Sequence, residues 1–145
     1  MKEIINMGMY TCFTLSCKVK KEYRDYIKQI NEGAEWKDFV DQMPFVKEYS
    51  KQSRADFIPH GALSAYNDDK FGPQNFNTYG SFGTWNFLCD MKNYDSTIEQ
   101  FIQEVLPHLC ERVYFCAYWY EEKAHPTIVN EKDILGEIEN GEWWY

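Results

Sequence analysis

The amino-acid sequence predicts an α+β domain with a ferredoxin-like fold, the split βαβ arrangement in which an antiparallel sheet carries two main helices on one face. Three observations lead to this class. Strand and helix patterns follow one another in the order βαββαβ, the 145 residues suit a single domain over 1–145, and no internal repeat is present. The 44% hydrophobic and 18% aromatic residues further predict a packed core rich in aromatic side chains.

The first strand and the first helix follow each other directly. Met9 to Lys20 alternates between apolar and polar residues, which predicts a half-buried strand. Lys21 to Asn31 repeats apolar residues at helical spacing, which predicts an amphipathic helix. A shorter helical pattern covers 35–42 and cannot continue comfortably past Pro44.

The middle of the chain has no regular hydrophobic period. Residues 45–83 are rich in turn-forming Asn, Asp, Gly and Pro, which predicts a long, loop-rich insertion. A weak strand at 61–66 would supply the second strand of the sheet. Without that strand the α+β class would stand, but the ferredoxin-like topology would not.

The second half of the pattern is again a strand, a helix and a strand. Thr84 to Met91 alternates and predicts a strand. Ser96 and Glu99 match the S-x-x-E capping box at the start of a helix that ends near Leu109. Val113 to Tyr120 is rich in strand-forming residues, and the residues after 125 predict a C-terminal strand or hairpin extension.

Charge and cysteine content exclude several classes of function. The net charge is −8, and residues 121–145 carry seven Asp/Glu against two Lys/Arg, which disfavours nucleic acid and favours either solubility or a basic partner surface. The five cysteines form no C-x-x-C pair and predict buried, reduced thiols. No run approaches the roughly 20 apolar residues of a membrane span, so we expect a cytoplasmic protein without a membrane segment.

Two aromatic surfaces are candidate binding sites. The sheet face opposite the helices is predicted to carry Tyr10, Tyr114, Tyr118 and Tyr120, a stacking platform of the kind that binds single-stranded nucleic acid. The alternative is that the C-terminal segment or a second copy in a homo-oligomer covers this face. The second surface is the acidic aromatic end, which suits a basic protein partner; the alternative is that it forms an edge strand. It consists of Glu137, Glu139, Glu142, Trp143, Trp144 and Tyr145.

Catalytic chemistry has little support. His60, Asp68 and Asp69 are the only sensible candidates for a metal-dependent nuclease or nucleotide hydrolase, but Asp68 and Asp69 also suit an ordinary turn. No nucleophile elbow, phosphate-binding loop or dinucleotide fingerprint is present in the sequence. We therefore expect no catalytic residue and no cofactor.

Three short runs are spread over most of the chain: Met7-Gly8-Met9-Tyr10-Thr11, Met91-Lys92-Asn93-Tyr94-Asp95 and Tyr120-Glu121-Glu122. Together they resemble a group of small bacteriophage and prophage proteins of largely uncharacterised function, which open with Met-Gly-Met-Tyr-Thr and continue into a strand. Residues 1–6 would then be an N-terminal extension before a natural start at Met7. The resemblance implies a mobile-element origin and stoichiometric action on host machinery, including inhibition of defence systems.

These observations favour a non-enzymatic, phage-type accessory protein in the cytoplasm of a bacterial host. It would bind a host protein with a basic surface or sequester a small ligand, as an inhibitor of bacterial defence. An RRM-like single-stranded nucleic-acid binder and a metal-dependent nuclease or nucleotide hydrolase remain the alternatives.

Overall fold

The computed structural model describes residues 10–61, 76–80, 82–120 and 125–136 of the chain. An antiparallel sheet lies at its centre, with strand order β2-β3-β1-β4-β5. The strands are β1 (Thr11–Val19), β2 (Phe76–Tyr79), β3 (Thr84–Met91), β4 (Cys110–Tyr120) and β5 (Thr127–Ile128).

The helices of the described ranges are short. They are α1 (Arg24–Asn31), α2 (Phe57–His60), α3 (Thr97–Gln100), α4 (Leu106–Leu109) and α5 (Glu131–Leu135). A π-helical segment, Phe101–Val105, joins α3 to α4, and we call the three together the long helical run. Turns of 3-10 helix occur at Lys21–Tyr23, Trp36–Phe39, Pro44–Val46, Tyr49–Lys51 and Tyr94–Ser96.

The chain is an α+β protein, as the sequence predicts. The predicted strands at 9–20, 84–91 and 113–120 correspond to β1, β3 and β4, and the helix predicted at 21–31 corresponds to a 3-10 turn followed by α1. The predicted C-terminal strand is present as β5, which pairs with β4 at Ala117 and Tyr118. Within the described ranges no helix is long and apolar enough to cross a membrane.

The second strand lies elsewhere than predicted. Of the weak strand at 61–66, Gly61 lies outside any strand and residues 62–66 lie outside the described residues. β2 instead falls within the segment 45–83 that was predicted to be loop-rich, where it pairs with β3 from Phe76 to Tyr79. A strand of four residues at the edge of a sheet is too short to give a clear alternating pattern.

Two predicted helical features also differ. The pattern at 35–42 is a single 3-10 turn at Trp36–Phe39 followed by turns, because two buried residues three positions apart also fit a 3-10 turn. The capping box at Ser96 is absent, since Ser96 has a left-handed backbone (φ 55°) and its side chain makes no capping hydrogen bond. Asn93 takes this role, because its Oδ1 accepts the backbone N–H of Ile98 at 2.8 Å.

The long helical run widens before Pro107. Proline has no backbone N–H, and in a regular α-helix its ring would collide with the carbonyl four residues earlier. The turn ahead of it is a π-helix, in which the backbone N–H of Leu106 donates to the carbonyl of Phe101. The wider turn therefore lets the helix pass through Pro107 to Leu109.

Both main helical elements pack on one face of the sheet. On β1, residues Phe13, Leu15, Cys17 and Val19 are buried on that face. The ring of Phe13 lies 5.9 Å from that of Phe101 in the π segment. On the side of α1, Asn31 accepts a hydrogen bond of 3.0 Å from the indole of Trp85, which lies opposite Cys17 in the sheet.

The core is rich in aromatic residues, as the composition predicts. The rings of Trp36, Tyr49 and Phe101 contact one another edge to face and are fully buried. Their polar atoms have partners, since the indole N–H of Trp36 donates to the carbonyl of Ile58 at 2.6 Å and the Tyr49 hydroxyl to that of Ala55 at 2.7 Å. All five cysteines are free, and four are buried.

Candidate functional site

The four tyrosines predicted to share the open sheet face do not lie on one face. Tyr118 and Tyr120 pair with Phe13 and Thr11, which are buried on the helix-bearing face. Opposed residues of an antiparallel pair project to the same side of a sheet, so these two tyrosines also face the helices. The sequence pattern puts even-numbered residues of both strands on one face, whereas from Thr11 to Ser16 the observed register pairs even-numbered with odd-numbered residues.

The other two tyrosines do not restore the platform. Tyr114 lies at a register shift of β4 opposite Ser16 and Cys17, where a bulge changes the alternation, and it is 47% exposed. Tyr10 precedes β1, and the ammonium of Lys92 lies 5.5 Å from its ring centre. A single stacking surface of all four tyrosines is therefore wrong.

The sheet face away from the helices is mainly small and polar. The hydroxyl of Ser16 donates to Oδ1 of Asn86 at 2.5 Å. Burial and the neighbouring Asp90 carboxylate raise the pKa of the Cys12 thiol to about 12. Cys12 is therefore a protonated thiol at neutral pH, not an activated nucleophile. By register, the other residues of this face on the three central strands include Thr14, Lys18, Thr84, Leu88, Phe115, Ala117 and Trp119.

The predicted metal candidates are only partly described. His60 packs beside α1, where its Nε2 hydrogen-bonds to the carbonyl oxygen of Ile30 at 2.7 Å. Asp68 and Asp69 lie outside the described residues. In the ranges that the structure covers, no three His, Cys, Asp or Glu side chains are grouped to hold a metal ion. A site that combines His60 with the two aspartates stays a prediction.

The acidic aromatic end also stays a prediction. Its six members, Glu137, Glu139, Glu142, Trp143, Trp144 and Tyr145, lie outside the described residues.

A cleft of about 310 Å³ lies between the long helical run and the segment that follows β5. Three apolar side chains contribute to its wall, together with a phenol and an amide. Two carboxylates complete it, and no Lys, Arg or His belongs to its described lining. The lining residues of this acidic cleft are Glu99, Ile102, Gln103, Pro107, Tyr118, Val129 and Asp133.

The helical side of the acidic cleft follows from spacing along the long helical run. Glu99, Ile102 and Gln103 are three and four residues apart, so they lie on one helix surface. Pro107 follows one turn later, after the π-helical segment whose wider turn accommodates the proline ring. Widened π turns of this kind occur frequently at functional sites.

The opposite side is positioned by β4 and α5. Tyr118 reaches the cleft because the register of β4 turns it toward the helices. The backbone N–H of Val129 donates to the carbonyl of Cys116 at 2.9 Å, which fixes the chain between β5 and α5 against the sheet. Asp133 then lies in the first turn of α5.

Glu99 is held in place before any ligand binds. The amide Nδ2 of Asn93 donates to its Oε1 at 2.8 Å. The Tyr118 hydroxyl also hydrogen-bonds to Glu99, and burial together with this carboxylate raises the pKa of Tyr118. Because both neighbours are neutral donors at physiological pH, they orient the carboxylate without neutralising its charge.

Two members of this cleft have other roles in the sequence-based predictions. The sequence pattern predicts Glu99 in a capping box and Tyr118 on the opposite sheet face, and no motif points to Asp133. One signal for the site was present in the sequence: Pro107 interrupts an otherwise strong helical pattern, which marks a widened or broken turn.

Comparison with known proteins gives no family for this chain. No family model, no curated protein and no solved structure matches it. The geometry of the cleft and the charge distribution are therefore the features that bear on function.

Proposed function

We propose that this chain is a non-enzymatic binding protein that takes a lysine or arginine side chain of a partner protein into the acidic cleft. The observation that carries the proposal is the combination of Glu99 and Asp133 with an apolar wall in one cleft of about 310 Å³. Lysine and arginine bury an apolar stem and keep a cationic head near polar groups. The cleft offers a matching surface for both parts.

Two further features support a cationic partner. Glu99 is already oriented by Asn93 and Tyr118, so less conformational freedom is lost when a cation binds. The net charge of −8 attracts a basic surface over longer distances and raises the rate of encounter.

We place this binding activity in a phage-type accessory protein that acts on a basic host protein in the bacterial cytoplasm, as an inhibitor of defence. The support is the resemblance of three short runs to phage and prophage proteins. One of those runs contains Asn93, the residue that orients Glu99. The acidic cleft would then be the surface through which such a protein blocks its target.

We also propose that the fold is ferredoxin-like. The support is the strand order β2-β3-β1-β4 within the sheet, which a split βαβ chain adopts, together with α1 and the long helical run on one face. In this proposal β5 and α5 are the C-terminal extension that forms one side of the acidic cleft.

The test uses short fluorescent peptides with a central lysine or arginine, and the same peptides with norleucine or citrulline at that position. Fluorescence anisotropy should show saturable binding of a basic series, weakened by about ten-fold when the cation is replaced, which is about 1.4 kcal/mol. The double variant Glu99→Gln with Asp133→Asn should lose the preference for the cation.

The matched control is Glu32→Gln with Asp41→Asn, which removes the same two kinds of carboxylate from exposed positions outside the cleft. It should retain the preference. Binding that is equal for basic and neutral peptides, or that persists in the cleft variant, would show that the acidic cleft is not the recognition site.

A further inference from the structure

A second pocket, of about 630 Å³, lies beside the first turns of α1 and the end of β2. Its lining contains three cations and one carboxylate, although the whole chain has a net charge of −8. The described lining residues of this basic pocket are Lys21, Arg24, Asp25, Lys28, Tyr79 and Gly80. None of them belongs to the acidic cleft.

We propose that the basic pocket binds a small phosphorylated molecule of nucleotide size. Pockets that bind small ligands typically have volumes of roughly 300 to 1,000 Å³, a range that includes this one. Among the lining residues three cations face one carboxylate, and this excess of positive charge, part of which Glu111 offsets at Arg24, suits a phosphate group of about −1.5 to −2. The proposal does not depend on the function assigned to the acidic cleft.

Arg24 is a fixed positive charge in this pocket. Its Nε donates to the carbonyl of Val19 at 2.9 Å, and its Nη2 lies 3.4 Å from a carboxylate oxygen of Glu111. The guanidinium packs against Gly83, where a Cβ atom would collide with it and where the backbone has a φ of 83°. Glycine leaves room for the guanidinium and adopts this φ without strain, and the contacts with Val19 and Glu111 orient the arginine before a ligand binds.

Lys21 and Lys28 add two further positive charges to the pocket. With Arg24 they line one pocket, where like charges repel and the single carboxylate of Asp25 offsets only part of the positive charge. No described carboxylate forms an ion pair with either lysine. A bound anion would remove this electrostatic cost.

Tyr79 supplies a neutral donor at the other side of the pocket. Burial raises the pKa of its hydroxyl, and Arg24 opposes that rise. The phenol therefore keeps its proton at neutral pH and offers an O–H group to a phosphate oxygen. Two flexible ammonium groups, one rigid guanidinium and one phenol form a donor set that suits phosphate.

The test is isothermal titration calorimetry of the full chain with pyrophosphate and with ADP. We expect saturable binding of at least one probe at low ionic strength, weakened as salt increases. The double variant Lys21→Gln with Lys28→Gln should bind about ten-fold more weakly or worse, a change of about 1.4 kcal/mol. Tyr79→Phe should weaken binding by a factor of about three.

The control is Lys37→Gln with Lys47→Gln, two exposed lysines outside the pocket that should leave the affinity unchanged. Glutamine has a helix propensity close to that of lysine, so far-UV circular dichroism should show the same fold in all variants. Three results would overturn the proposal: no binding of either probe, equal binding by the lysine variant, or tighter binding of a single-stranded oligonucleotide than of both probes.

Discussion

At the level of single residues, the side chain of Glu131 anchors helix α5 to the sheet. Its carboxylate accepts hydrogen bonds from Nε and Nη2 of Arg112 at 2.7 and 3.0 Å, and from the backbone N–H of Val113 at 2.9 Å. The two side chains are only 15% and 18% exposed, so this pair is better shielded than a surface ion pair. Because Asp133 lies on the same helix, the anchor also positions one side of the acidic cleft.

Glu131 should make the stability of the protein depend on pH. The hydrogen bonds from Arg112, and that from the backbone of Val113, lower its pKa below the usual value of 4.5, against the effect of burial. A folded-state pKa below the unfolded one adds stability above the unfolded pKa, and this stability is lost as the pH falls through the folded pKa. Glu131→Gln should therefore cost about 2 kcal/mol at neutral pH and less in acid.

Urea unfolding of the wild type and of Glu131→Gln across the acidic range measures this difference. Glu48→Gln is the control, since Glu48 forms an exposed pair with Lys51 and should change stability by less than about 1 kcal/mol. A cost for Glu131→Gln that stays constant down to strongly acidic pH would contradict the prediction.

At the level of elements, the long helical run shows why a local motif was misleading. Ser96 and Glu99 match the capping-box pattern, but the pattern does not report the backbone conformation, and Ser96 has a left-handed one. Asn93 lies three residues earlier and reaches the helix start because the intervening residues form a 3-10 turn. Its amide therefore both caps the helix and orients Glu99.

The two candidate caps make different predictions. Asn93→Ala should destabilise the protein by about 1 kcal/mol or more, because it leaves the Ile98 N–H without its partner and releases Glu99. Ser96→Ala should change stability by less than about 0.5 kcal/mol, as expected for a surface residue away from structural contacts. Thermal unfolding followed by circular dichroism compares the two directly, and a larger loss in the serine variant would restore the capping box.

At the level of the whole molecule, the hydrophobic pattern was sufficient for the α+β class and for β1, α1, β3 and β4. It was not sufficient for the relative register of β1 and β4, because alternation identifies two faces within a strand but not which face meets the partner. The bulge near Tyr114 adds a further shift that no local pattern encodes. For this reason the sequence pattern places Tyr118 on the wrong face and does not reveal the acidic cleft.

Both proposed sites are formed by residues that are distant in sequence. The acidic cleft combines the long helical run with β4 and α5, and the basic pocket combines α1 with the end of β2. Neither group has a fixed spacing that a motif could capture. The order of the strands brings the residues of each site together, because β1 lies between β3 and β4 and the two helical elements cover the same face of the sheet.

The five cysteines provide a test of the whole sheet. Cys17, Cys89, Cys110 and Cys116 are buried, and Cys12 is partly exposed. The reactive species is the thiolate, and the pKa of Cys12 is raised to about 12. Native protein should therefore react with iodoacetamide slowly and at Cys12 alone. Protein unfolded in guanidinium should be labelled at all five cysteines. Intact-mass spectrometry counts the adducts in both cases.

Two variants and a change of pH make this prediction specific. Cys12→Ser should abolish labelling of the native protein, and alkaline pH should accelerate labelling of the wild type as the Cys12 thiolate forms. Asp90→Asn should also increase the rate, because its carboxylate contributes to the raised pKa of Cys12. Rapid labelling of native protein at more than one cysteine would show that the helix-bearing face of the sheet is accessible to solvent. It would therefore contradict the packing of both helical elements against that face.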